Sequence, residues 1–148
     1  MAYKIDFLET KPMYAATMKM TIPDYSMPLA IKAVQAMEKE LKRHNINLAK
    51  PNYNFYVSFD NEHRYEVIDI EIVVAVDKMG EEMDMIKFVS LPQEDNIIRV
   101  TADTFDDVHI GLAEWMHDND YVADGILRTV IHDGDQFIYD CPVKPAED

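Results

Sequence analysis

The stretch LAEWMHDNDYVADGILRTVIHDGDQFIYDCPV, Leu112 to Val143, decides how the chain is read. It runs as the end of a helix, a tight connection, a strand, a turn around Gly134 and a second strand. The same order of events occurs earlier, in MEKELKRHNINLAKPNYNFYVSFDNEHRYEVIDIEIVVAV, Met37 to Val76. An offset of 74 lays Trp115 on Leu41, Asn119 on Asn45, Gly125 on Pro51 and LRTVIHDG on YNFYVSFD. Identity across that offset is low, so the duplication rests on the order of elements.

Working outward, each copy gains strands ahead of its helix. YKIDFLE alternates Ile5 and Phe7 with polar residues, and MYAATMKMTI follows after Lys11-Pro12. Ser26 is placed to cap a helix with Pro28 in its first turn, and Ala30, Ala33, Val34, Met37 and Leu41 recur on one face. Asn45 and Asn47 suit its exit. Asn54–Phe59 reads as a strand, Asp60-Asn61 as a turn, and Tyr65–Val76 as a longer strand with Ile68, Ile70, Ile72, Val74 and Val76 on one face. Asp69 and Glu71 fall on the other.

Lys78–Asp84 is a charged connection. Met85–Leu91 and Ile97–Ala102 repeat the strand signal across a loop that starts at Pro92. Thr104 opens the second helix, with Asp107 three residues on and Val108, Leu112, Trp115 and Met116 on its apolar side. Leu127–His132 and Gln136–Tyr139 close a hairpin around Asp133-Gly134-Asp135. The expected fold is therefore α+β: a duplicated strand-helix-strand-strand module in one domain, 1–148, with repeats at about 1–77 and 84–143. Two such halves pair about a pseudo-twofold axis as an antiparallel sheet with two helices. A cleft on that axis is a natural ligand site.

The 148 residues, 48% hydrophobic with four glycines, suit one ordered domain with a real core. No apolar run approaches the ~18 residues of a membrane span, and MAYKIDFLET lacks a signal-peptide pattern. Cys141 has no internal partner, which suggests a reducing, cytoplasmic setting. The net charge is −14. Residues 1–74 carry 10 acids and 9 bases, residues 75–148 carry 18 and 5. With no spanning run, no membrane is expected, and such a surface repels phosphate backbones, so no direct nucleic-acid contact is expected. It favours small cations or basic protein patches.

Taken together, these features resemble the GyrI-like small-molecule-binding domain, the effector-binding domain of AraC- and MerR-type bacterial regulators, whose architecture the SOUL proteins share. DIEIVVAVD, Asp69 to Asp77, resembles the family's acid-bearing strand at the end of the first half. FDDVHIGLAEWMHDNDY, Phe105 to Tyr121, resembles its second helix, and the hairpin ending at Cys141-Pro142-Val143 its closing strand. The likeness spans nearly the whole chain. Thr101-Ala102-Asp103-Thr104 stands where members show His-x-Gly-Pro. Thr129 and Ile131 stand where many carry Glu and Tyr, so the central carboxylate of drug-binding members is missing.

The resemblance implies a stand-alone bacterial effector-binding domain for a small apolar or cationic molecule, linked to transcriptional regulation or multidrug sensing. Flat rings and thioethers make adaptable walls. The expected ligand-binding residues are Tyr14, Met18, Phe55, Tyr56, Glu71, Trp115 and Tyr139, with Tyr56, Glu71 and Tyr139 orienting the guest. One alternative is a hydrolase of strained electrophiles that uses a cleft Glu and Tyr. Another is an acidic interaction protein of the gyrase-inhibitor type, engaging a basic partner.

No catalytic residue is assigned. Gly-x-Ser-x-Gly and glycine-rich phosphate loops are missing, and Cys141 has no sequence-local base. Neither metal nor cofactor is expected, heme included. His109 and His117 lie eight apart without HExxH or CxxC spacing, and Asp118-Asn119-Asp120 is followed by Val122 and Ala123 where a calcium loop needs a ligand and a glycine.

Overall fold

The computed structural model describes residues 2–23, 26–58 and 67–147. In chain order the elements are β1 (Tyr3–Thr10), β2 (Met13–Pro23), α1 (Met27–Arg43), β3 (Asn54–Ser58), β4 (Val67–Val76), β5 (Lys87–Leu91), β6 (Glu94–Ala102), α2 (Phe105–Asn119), β7 (Tyr121–Ala123), β8 (Arg128–Val130) and β9 (Phe137–Pro145). The fold is α+β, and the strands pair antiparallel. The turn expected at Asp60-Asn61 and the start of a strand at Tyr65 lie outside the described residues.

The chain forms two compact units. One holds residues 12–92 and 131–133, with strand order β3-β4-β2-β5. The other holds residues 1–11, 93–130 and 134–148, with strand order β1-β6-β9-β8 and β7 on β9. Each contains the strand-helix-strand-strand module: β2-α1-β3-β4 in the first unit, β6-α2-β8-β9 in the second. The edge strands are exchanged. β1 precedes β2 in the chain but pairs with β6, and β5 precedes β6 but pairs with β2.

In the first unit, Ile68, Ile70, Ile72, Val74 and Val76 of β4 face α1, as their alternation requires. Ala30, Ala33, Val34, Met37 and Leu41 of α1 are buried against them. Ser26 caps α1 by accepting from the Leu29 N–H at 3.4 Å. At the other end Asn45 adopts φ 63°, the Ile46 N–H reaches the Leu41 carbonyl at 3.0 Å, and the Asn45 N–H reaches that of Lys42 at 3.1 Å. That is a Schellman ending, and it turns Ile46 into the core.

The second unit repeats the plan. Ile98, Val100, Ala102, Tyr139, Cys141 and Val143 pack with Val108 and Leu112 of α2. Thr104 caps α2 by accepting from the Asp107 N–H at 3.1 Å, and Asp106 and Asp107 complement the helix dipole. Asp120, at φ 57°, ends α2.

Several boundaries differ from expectation: β5 begins at Lys87 rather than Met85, and β8 spans Arg128–Val130 rather than Leu127–His132. β6 begins at Glu94 rather than Ile97, because Glu94 pairs with Thr10 of β1. β7 was not anticipated; it exists by pairing with Val143–Pro145. β9 extends to Pro145 for the same reason.

Candidate functional site

Alternation gives each sheet a helix-facing side and an opposite side. In the first unit the opposite side carries Ala15, Thr17, Lys19 and Thr21 of β2, Asp69, Glu71, Val73 and Ala75 of β4, and Phe55 and Val57 of β3. Tyr53 and Phe55 pack ring to ring at 4.8 Å. Ala15, Phe55 and Val73 are buried here, with Tyr53, Val57, Val89 and Leu91 packed around them. Glu71 stands in register with Lys19, and the Thr21 hydroxyl donates to Asp69 at 2.6 Å. This side thus offers an apolar, aromatic floor bordered by a half-buried carboxylate.

On the matching side of the second unit, Asp140 is fully buried. It accepts two bonds from Arg99, at 2.7 and 2.8 Å, a bidentate pair. Arg128, in register with Asp140, donates to Glu94.

The seven expected ligand-binding residues are distributed as follows. Phe55 and Glu71 share the side of the first sheet opposite α1. Tyr14, Met18 and Tyr56 lie on the α1-facing side, so one pocket cannot be lined by all five. Tyr56 is 1% exposed and packs in the core, whereas Tyr14 is 47% exposed. Tyr139 is buried beneath α2, touching Phe105 at 5.8 Å. Trp115 joins Phe7 at 5.5 Å and Tyr121 at 5.1 Å in a partly exposed cluster of rings.

Several features were not read from the sequence. Met18, Met37, Met83 and Met85 line a hollow of about 310 Å3. His44, Ile46, Met79 and Met83 line another of about 430 Å3. A polar groove of about 760 Å3 runs between Lys42, Lys50, Asn52 and Asp77. The backbone N–H of Asn47, donating at 3.1 Å, holds the Asp77 carboxyl below the usual range. Burial pushes the Cys141 thiol up, and Arg128 opposes this. Tyr3 is raised too, first by its hydrogen bond to Glu114. Among the described residues no group of three or more His, Cys, Asp and Glu side chains could hold a metal, and no helix is long and apolar enough to cross a membrane.

With this geometry in view, the chain is similar in fold to the C-terminal domain of EcmrR, in a crystal structure, with a TM-score of 0.77 and 22% identity over 99% of this chain and 100% of that one. It is similar also to EcmrR in the cryo-EM structure of an EcmrR–DNA complex in EcmrR-RPo, with a TM-score of 0.78 and 21% identity. That match covers 98% of this chain but 59% of the EcmrR chain. The sequence matches no protein-family model. No curated protein matches it either.

Proposed function

We propose that the chain is an effector-binding domain of the GyrI-like kind, which takes a small apolar or cationic molecule and passes its presence to a transcriptional regulator. The observation that carries this reading is the fold likeness along almost the whole chain to the C-terminal domain of EcmrR, a protein also seen in a complex with DNA.

The guest lies on the side of the first unit's sheet opposite α1. Tyr53 supplies a ring face above the buried Phe55, and Val57 and Leu91 exclude water. The Glu71 carboxylate orients a cationic group by exchanging its Lys19 neighbour for the ligand. Burial of apolar surface at ~25 cal/mol per Å2 drives the association.

A thermal-shift series with lipophilic cations and neutral hydrophobes tests the reading. One chemotype should stabilise saturably, by about 2.7 kcal/mol at a hundredfold excess over Kd. Tyr53→Ala and Glu71→Gln should each lose most of that shift, measured from each variant's own ligand-free Tm. A flat response across both classes, or an undiminished shift in both variants, sinks the proposal.

A further inference from the structure

We propose that the groove between α1 and the β4–β5 connection docks a cationic amphipathic helix of a partner protein. This site is separate from the effector surface, lies on the α1 side of the first unit, and does not depend on the effector reading.

The floor is methionine. Met18 of β2, Met37 of α1, and Met83 and Met85 of the connection converge on one hollow of about 310 Å3. Met83 also borders the second hollow, of about 430 Å3, beside Met79 and Ile46. Unbranched, polarisable thioethers repack around differently shaped apolar side chains, which suits a peptide-binding surface. Met85 is 65% exposed and Met79 44%, so apolar surface is left to water on a chain of net charge −14.

The spacing fits a helix. Met37 and Glu40 of α1 line the first hollow, and His44, the residue that caps the C-terminal end of α1, lines the second. These positions are i, i+3 and i+7, a stripe about 10 Å long at 1.5 Å per residue. Two apolar side chains seven apart on a partner helix stand the same distance apart, one for each hollow.

The rim fixes the sign. Glu81, Glu82 and Asp84 border the hollows, against Lys78. Glu40 is shared with Arg43 at 3.6 Å and His44 at 3.7 Å. The balance is acidic, so a partner helix with Lys or Arg beside its apolar stripe is favoured.

The floor is also held in place before binding. The Met83 N–H bonds to the Ile86 carbonyl at 2.9 Å. A Cβ on Gly80 would stand 2.5 Å from Ile46 Cδ1 and 2.8 Å from Phe88 Cζ, so the connection lies tight against the unit there. Little ordering remains to be done on association.

The test uses a fluorescein-labelled Leu/Lys helix with leucines at i, i+3, i+4 and i+7. A scrambled peptide of the same composition controls for charge alone. Anisotropy is read at roughly physiological and roughly threefold higher salt. The amphipathic helix should bind at micromolar Kd, about tenfold or more tighter than the scramble. Met83→Gln/Met85→Gln should weaken it about tenfold, with unchanged Tm and circular dichroism, whereas Met83→Leu/Met85→Leu should stay within about threefold. Equal binding of scramble and amphipathic helix, or wild-type affinity in the Gln double variant, overturns the proposal. So does saturation of the hollows by a small hydrophobe with no binding of the helix.

Discussion

A single buried carboxylate shows how a residue's meaning depends on what lies beside it. In IYDCPV, Asp140 reads as one more acid in an acid-rich half. In the structure it is fully buried on β9, and Arg99 grips both its oxygens. A charge in that position is tolerable only while it is compensated. The two partners are unequal, because the Arg99 side chain is 32% exposed and the Asp140 side chain 0%. Removing Arg99 takes two charge-assisted hydrogen bonds from a carboxylate that stays inside, whereas removing Asp140 leaves a guanidinium that can turn to water. Arg99→Ala should therefore cost about 3 kcal/mol in urea unfolding, and Asp140→Asn clearly less. Equal losses would contradict this asymmetry. Alternation in the sequence placed Asp69 and Glu71 correctly on one side of β4, since period-2 geometry is local. It could not tell that Tyr56, on β3, belongs to the core, because β3 buries residues on both sides.

At the scale of elements, helix ends were legible, but β7 and the start of β6 were not. Ser26 and Thr104 cap through bonds to residues three positions on, so the signal sits in the sequence beside them. The exit of α1 is equally local: Asn45 takes the left-handed conformation, and its own N–H and that of Ile46 close the last turn. A residue with a Cβ and no short amide pays about 1 kcal/mol there. Asn45→Ala should lower stability by that amount while Asn45→Gly leaves it equal or slightly higher, both read by urea titration. Loss of stability in the glycine variant would mean that the Asn side chain, not the backbone, is what matters. β7 and the first residues of β6 carry no comparable mark. Their hydrogen bonds go to Val143–Pro145 and Thr10, and nothing in Tyr121–Ala123 or Glu94–Asn96 reports such distant partners.

At the scale of the whole chain, the order of elements revealed a duplication, but pairing partners were beyond its reach. β1 and β5, which precede the modules in the chain, are short alternating segments that fit any open sheet edge. Only the fold shows that β1 completes the unit built by β6, α2, β8 and β9, and β5 the unit built by β2, α1, β3 and β4. A polypeptide of residues 1–78 then lacks the partner of the outer edge of β2, with Ala15 and Ala16, both fully buried, in the paired stretch. A polypeptide of residues 79–148 lacks β1 on β6, where Ile97, Ile98 and Val100 are fully buried. Neither piece can bury its apolar strand edge alone, and each holds the strand the other needs. Expressed separately, both should be poorly soluble or lack a cooperative transition by circular dichroism. Expressed together, they should co-purify in equal amounts and unfold in a cooperative transition below that of the intact chain, since the link no longer reduces the entropy of bringing the pieces together. Cooperative unfolding of residues 1–78 in isolation would show that β5 is dispensable to the first unit.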